Sequence, residues 1–421
     1  MKLKAVSLSA IALAAAVLVA ACGGGGGSSP SAEDATPVAG VEVGVLTDAQ
    51  IQGVRYVTSS GVSGTTDADG RYNYNPGDTV TFTIGEVTLG EVPATGIVTP
   101  IQLANGSDAK LKNLLVVLQS LDADGDPANG ISIPAAAATA LTTAIDLSGS
   151  LSSSATDAIK AAMTAAGIQG EMKTVEDAEH HFLSQAAALL ASNVWISVEG
   201  GKPVAAVYVA SNGYYLIGEA NAADDAGHSG FEWGTLGVSS VNSKGFAVDA
   251  TALKDTTGEW GLSHPQPDER FSTDGENLIV TDSLETVKLV RMENDPAGIV
   301  GAWAVADEEG HPSTDGLVLF FKDGYFMYAD SVGESKTMPP GDQCSTGGVE
   351  FGKYDYDTAS KVVTPSAQEY NTNGCVGFFE ADGSSNATTH TFTLSADGKT
   401  AVWKSTEGSD SWEVNLVRVS R

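Results

Sequence analysis

The chain has 421 residues, 42% of them hydrophobic and only 7% aromatic, and carries a formal net charge of −31. That length exceeds what one hydrophobic core usually serves, so several folded units are expected. So acidic a surface repels phosphate backbones and anionic head groups, which excludes nucleic acid as a partner; it suits solubility outside the cytoplasm and weak divalent-cation binding.

Residues 1–21 place Lys2 and Lys4 ahead of the apolar run SLSAIALAAAVLVAA, which is too short and too abruptly ended for a stable membrane span. This is the pattern of an export signal. The segment V-A-A-C, Val19 to Cys22, resembles the lipobox of bacterial lipoproteins, and the resemblance implies that Cys22 is acylated and becomes the mature N-terminus. Several acyl chains, at about 0.8 kcal/mol per buried methylene, would then hold the protein on the membrane. Gly23, in place of the aspartate that such families use for inner-membrane retention, implies the outer membrane, on its periplasmic or its surface side. Loss of the two lysines with the signal takes the net charge from −31 to −33. Residues 22–39 open with a glycine–serine run and bring no large apolar side chain before Val38, so they form a flexible tether.

Residues 40–104 read as a small β module: VEVGVL, GVRYVTS, RYNYNPG, TVTFTIG and EVTLG are short β-rich runs separated by Gly, Asp and Pro. The stretch GVSGTTDADGRYNYNPGDTVTFTIG is similar to the T-D-x-D-G-x-aromatic hairpin of transthyretin-like and carboxypeptidase-regulatory-like modules. The resemblance implies a scaffolding unit in which Asp67, Asp69 and Gly70 make the turn and Tyr72 and Tyr74 share a strand face.

Residues 105–192 change period. KLKNLLVVLQSL, AAAATALTTAI, ATDAIKAAMTAA and TVEDAEHHFLSQAAALLA repeat their apolar residues at three and four, which predicts helices packed on a β neighbour. Thr174, with Asp177 three residues on, gives the last a capping-box-like start. Between the first two lies LDADGDPANGI, where Asp122, Asp124, Asp126 and Asn129 have the alternate spacing that wraps oxygen ligands around Ca²⁺. Pro127 and Ile133 stand where an EF-hand loop needs glycine and glutamate, so the match is partial, and ordinary caps and turns use the same residues. His180 and His181, being adjacent, point to different helix faces and suit packing or exposure better than shared metal ligation.

The remainder contains an internal repeat, residues 193–294 and 295–421. VYVASNGYYLIGEA aligns with LFFKDGYFMYADS, placing Asn212-Gly213-Tyr214 on Asp323-Gly324-Tyr325. A G-x-E-aromatic-G motif follows in each, at Gly230, Glu232, Trp233 and Gly234, then at Gly348, Glu350, Phe351 and Gly352. FSTDGENLIV matches LSADGKTAVW, and TVKLVRM matches EVNLVRV, in unbroken order. Asn-Gly and Asp-Gly between such strands predict hairpins whose two central residues both take positive φ. Seven or eight hairpin-linked strands make a meander, and closing it removes exposed edges, so each copy is expected to be a small antiparallel barrel or a curled sheet. Each copy opens on a tryptophan and closes on an arginine: Trp195 with Arg291, Trp303 with Arg418. The Gly301-x-Trp303 start with Arg418 in the last strand is similar to lipocalin-like domains, although Asn193 replaces the glycine in the first copy. That resemblance implies a guanidinium over the indole face at the barrel bottom, with its other donors on backbone carbonyls.

The aromatic hairpin LVLFFKDGYFMYAD is apolar on both faces, Leu317, Leu319 and Phe321 on one and Val318 and Phe320 on the other. One set fills a barrel, while the other needs a cover, either the second copy or the helices. Tyr208, Tyr215, Phe320, Phe321, Phe326 and Tyr328 are therefore the candidate ligand or packing surface. Cys344 and Cys375, in loop-like sequence and an oxidising compartment, are expected to pair, and closing a loop of roughly 30 residues contributes about 3 to 4 kcal/mol. No G-x-S-x-G, H-E-x-x-H or phosphate-loop motif occurs, and Asp268, Glu269 and His264 in GLSHPQPDER read as a solvated loop before an acid–base group.

The fold class is thus mainly β with a helical insert: a small sandwich-like module, a helical segment, and two repeated antiparallel meanders. The expected function is non-enzymatic: a lipid-anchored envelope protein that binds a small apolar molecule in a barrel, or an envelope protein at its surface. The alternatives are an adhesion or scaffold lipoprotein with a calcium-stabilised loop, and an accessory or degenerate extracellular hydrolase.

Overall fold

The computed structural model describes residues 42–191, 193–219, 230–258, 261–331, 347–373, 377–379, 383–384 and 388–419. Cys22, Cys344 and Cys375, and with them the expected acylation and cysteine pairing, lie outside the described residues. The chain is mainly β, with a small N-terminal sheet module, a few helices, and two closed eight-stranded antiparallel barrels.

In the module, strands Ser63–Thr65, Arg55–Thr58, Thr79–Ile84 and Val87–Pro93 form one sheet, and Arg71–Tyr74, Glu42–Leu46 and Ile97–Val98 form another. The turn at Asp67 to Gly70 has its expected chemistry. The Asp67 carboxylate accepts the N–H groups of Asp69 at 3.0 Å and Arg71 at 2.9 Å, and Gly70 takes φ +72°. It does not close a hairpin, however, because the strands on its two sides belong to different sheets. Tyr72 explains the switch: its ring packs edge-on against Phe82 and Tyr56 of the facing sheet, so the chain crosses between layers to bury it.

The helices Asp108–Ser120, Ser153–Ala166 and Val175–Leu190 share one continuous core with this module, through Leu46, Phe82, Leu114, Val117, Ile159 and Phe182. Thr174 caps the last as expected, accepting the Asp177 N–H at 3.1 Å, but Asp177 takes the Thr174 hydroxyl proton instead of a backbone N–H. The run predicted as helix over 135–145 is helical only for Ala135–Ala140. There the chain turns outward so that the Leu141 carbonyl accepts the Glu86 N–H of the module at 2.9 Å; tertiary hydrogen bonding overrides alanine propensity.

Each barrel is a strict up-and-down meander. The first runs from Asn193–Glu199 to Thr286–Arg291, the second from Gly301–Ala306 to Asp410–Val419, and in each the first strand pairs with the last. The turns at Asn212-Gly213 and Asp323-Gly324 are three-residue loops, not the two-residue turns expected. Only the glycines take positive φ, +83° and +81°, and Ala210 pairs with Tyr214 as Phe321 does with Tyr325. A type I turn followed by a left-handed glycine needs no positive φ at Asn or Asp, so it is the less strained route around the bend.

The barrels pack on each other through an apolar face made by Ile196, Ala206, Tyr208, Leu216, Leu317, Leu319, Phe321, Met327 and Val349. Leu317, Leu319 and Phe321 thus find their cover in the other copy. Polar contacts fix the register of the two faces: Trp233 Nε1 donates to Thr314 Oγ1 at 3.1 Å, and Lys202 pairs with Glu369 at 3.1 Å. Helix Val175–Leu190 docks on the first barrel, where Phe182 meets Phe246 at 5.2 Å.

Candidate functional site

The residues that close the barrels are direct cross-strand partners, Trp195 with Arg291 and Trp303 with Arg418. In the second barrel the Arg418 guanidinium lies 4.0 Å from the Trp303 ring centroid and donates to the carbonyls of Gly398, Val300 and Gly298 at 2.7, 3.0 and 2.7 Å. The first barrel keeps the pairing but not the contacts. Arg291 turns to Glu276 at 2.8 Å, and the buried Trp195 Nε1 has no hydrogen-bond partner among the described residues.

Eight strands leave an interior that side chains can fill or a small ligand can share. The first barrel is filled: Trp195, Val207, Tyr215, Ile217, Leu262, Phe271 and Leu289 pack together, and the residual cavity is about 10 Å³. The second is filled at its closed end by Trp303, Phe320, Phe326, Phe378 and Phe392. Toward its other end a cavity of about 320 Å³ opens, lined by Val305, Val318, Tyr328, Trp403, Val414 and Leu416, with Asp315 and Asp330 also in its wall. Tyr328 and Trp403 meet edge to face at 5.5 Å, and the Tyr328 hydroxyl donates to Asp330 at 3.4 Å. Deeper in, Trp403 Nε1 donates to His390 Nδ1 at 3.2 Å, and burial pushes the imidazole down to about 4, so it is neutral at pH 7. Of the six aromatic residues singled out in the sequence, Tyr328 lines this cavity. Tyr208 and Phe321 lie in the inter-barrel face, and Tyr215, Phe320 and Phe326 fill the lumens.

The glutamates of the two G-x-E-aromatic-G motifs are fully buried and each ties a loop across its barrel. Glu232 accepts the Ser263 N–H at 3.0 Å, the Ser263 hydroxyl at 3.1 Å and the Tyr215 hydroxyl. Glu350 accepts the Phe378 N–H at 2.9 Å and that of Phe379, leaving Oε1 without a partner among the described residues; burial pushes the carboxyl up to about 8. Gly261 and Gly377 stand at the same place in the two loops, and a Cβ at either would lie 2.0 or 1.9 Å from the glutamate Oε2. The loops carry Leu262 and Phe378 into the lumens as plugs. The repeat alignment marks both glutamates; their burial is not legible in it, because strand alternation alone would not say which face a loop covers.

The other candidates separate. In the Asp122 loop the carboxylates bond the loop itself: Asp122 accepts Ser132 N–H at 2.9 Å, Asp124 accepts Asp126 N–H at 2.9 Å and the Asn129 amide at 3.0 Å, and Asp126 accepts Ala128 N–H at 3.2 Å. Lys173 Nζ adds a cation at the Gly125 carbonyl, 2.9 Å away. His181 packs against the buried Asp48 at 3.5 Å, and His264 leaves Asp268 and Glu269 for Asp255, 2.9 Å away.

No family model and no curated protein matches the chain. Among solved structures, the chain is similar to the β subunit of DNA polymerase III from Thermotoga maritima at 9% identity, over 56% of this chain and 59% of that one, with a TM-score of 0.10. A likeness that slight carries no argument. The two barrels are compatible with a lipocalin-like binding fold on their own geometry. Among the described residues no helix is long and apolar enough to cross a membrane.

Proposed function

We propose that this is a non-catalytic cell-envelope protein, tethered to the outer membrane through lipid on Cys22, whose second barrel takes a small apolar molecule into its open end. The observation that carries this reading is the contrast between two copies of one barrel, one packed to about 10 Å³ and the other keeping about 320 Å³ against Tyr328 and Trp403. A cavity of that size fits the lower range of small-molecule sites, with an apolar lining for affinity and a few polar groups for orientation. The first barrel then serves as the wall on which the second is mounted. Calcium in the Asp122 loop is a separate, structural reading; it would have to replace the hydrogen bonds that now hold the loop.

The test uses the mature chain and the apolar fluorophore N-phenyl-1-naphthylamine. Saturable binding is expected, lost on Val414→Phe, which fills the cavity from its rim, and unchanged on Leu236→Phe in the first barrel. Native mass spectrometry of protein taken from its own membrane should also show a retained small molecule. If the fluorophore does not bind, or binds equally to Val414→Phe, the apolar-ligand reading fails and adhesion or scaffolding replaces it.

A further inference from the structure

We propose that the first barrel carries a divalent transition-metal site made by Glu232, Asp255 and His264, suited to zinc and not to calcium. This site is separate from the cavity of the second barrel and does not depend on it.

The three residues come from three segments: a strand interior, the end of the next strand, and the loop that plugs the barrel. Their coordinating atoms lie within 4.8 Å of one another. A metal about 2.1 Å from each ligand spaces the ligands about 3 to 3.5 Å apart, so closure needs side-chain movement of only about an ångström. Both carboxylates are already oriented from behind. Thr257 donates both its N–H and its hydroxyl to Asp255 Oδ1, at 2.7 and 2.6 Å, turning Oδ2 toward His264 Nε2 at 2.9 Å. Ser263 and Tyr215 hold Glu232, whose Oε2 accepts, among the described residues, only the Ser263 hydroxyl. Outer hydrogen bonds of this kind set ligand orientation in metal sites.

Electrostatics favours a cation here. Two carboxylates are direct cross-strand partners, Glu232 fully buried and Asp255 only partly exposed. Among the described residues no lysine or arginine pairs with either, and His264 is their one basic neighbour. The second barrel shows that the fold does not require this arrangement. Glu350 occupies the place of Glu232, the N–H groups of Phe231 and Val349 are matched by the hydroxyls of Thr256 and Thr372, and Asn371 stands where the first copy has Asp255. At that register position the first copy carries a charge and the second does not. One imidazole with two carboxylates is a ligand set for zinc and its first-row neighbours, whereas calcium takes oxygen only. Asp255 and His264 are partly exposed, at 22% and 40% of their side-chain surface, which gives an entry path and leaves room for water to complete the shell. Bound there, the ion would fasten the plugging loop to the barrel wall.

The experiment is calorimetric titration of chelator-stripped mature protein with Zn²⁺, with Co²⁺ absorption as an independent reading of the imidazole ligand. One equivalent is expected to bind with a dissociation constant below about 10 µM, about 7 kcal/mol. His264→Ala and Asp255→Asn should each weaken it at least tenfold, and Glu350→Gln should leave it unchanged. Asp255→Asn installs the residue the second barrel already uses, so it keeps the test valid if His264→Ala misfolds. Absence of saturable zinc binding below about 1 mM, displacement of zinc by millimolar calcium, or binding that survives both substitutions would each overturn the proposal.

Discussion

Tyr215 and Phe326 hold the same place in the two barrels and differ by one hydroxyl. That hydroxyl gives Glu232 a donor that Glu350 lacks. A buried hydrogen bond contributes about 0.5 to 3 kcal/mol, more when its acceptor is charged, so Tyr215→Phe, which leaves Glu232 Oε1 with the Ser263 N–H alone, should destabilise the first barrel by that order, and Phe326→Tyr should stabilise the second by about 1 kcal/mol. Chemical denaturation of the two variants measures both signs. Asp48 offers a pH-dependent counterpart. It is fully buried between the module and the helices, accepts Gln119 Nε2 at 2.8 Å, faces His181, and burial pushes it up to about 7 from 3.8. Its folded value lies above its unfolded one, so its contribution is whole below about pH 4 and is lost as the pH rises through 7. Asp48→Asn removes that loss. Thermal unfolding should show the variant equal to wild type at pH 4 and more stable at pH 8 by about 2 to 4 kcal/mol.

At the scale of elements, the closing strands show how one sequence pattern supports two energies. Arg418 spends its fork on three carbonyls and its face on Trp303, and lysine can copy neither. Arg291 makes an exposed pair with Glu276, the kind of contact that contributes about 0 to 1 kcal/mol. Arg418→Lys should therefore destabilise its barrel by about 1 to 3 kcal/mol and Arg291→Lys by less than about 1, read by urea unfolding followed through tryptophan emission. The strands, their order and the closing partners were legible because alternation, repeat and turn glycine are local signals. The turn geometry, the short helix at Ala135–Ala140 and the two-sheet split at Asp67 to Gly70 were not, since each is decided by a partner distant in sequence: the Glu86 N–H for the helix end, the Phe82 and Tyr56 rings for the split.

For the whole molecule, the proposed anchor on Cys22 makes a prediction that does not involve the folded part. Cys22→Ala should abolish incorporation of labelled palmitate and move the protein from the membrane fraction to the soluble one; a variant that keeps both label and membrane association would defeat the lipobox reading. The two barrels form one body, because the hairpin face of Leu319, Phe321 and Met327 is buried against Ala206, Tyr208 and Leu216. The sequence alone determined the acidic surface, the duplication, the two-faced apolar hairpins and the Trp–Arg closures, since composition and period-two patterning are properties of the chain read locally. Only the tertiary structure decided which apolar face turned inward, that one lumen is filled and the other open, and that Glu232, Asp255 and His264 meet. Those outcomes depend on where loops remote in sequence fold back across the barrels, and on side-chain volumes that must fill the same interior together.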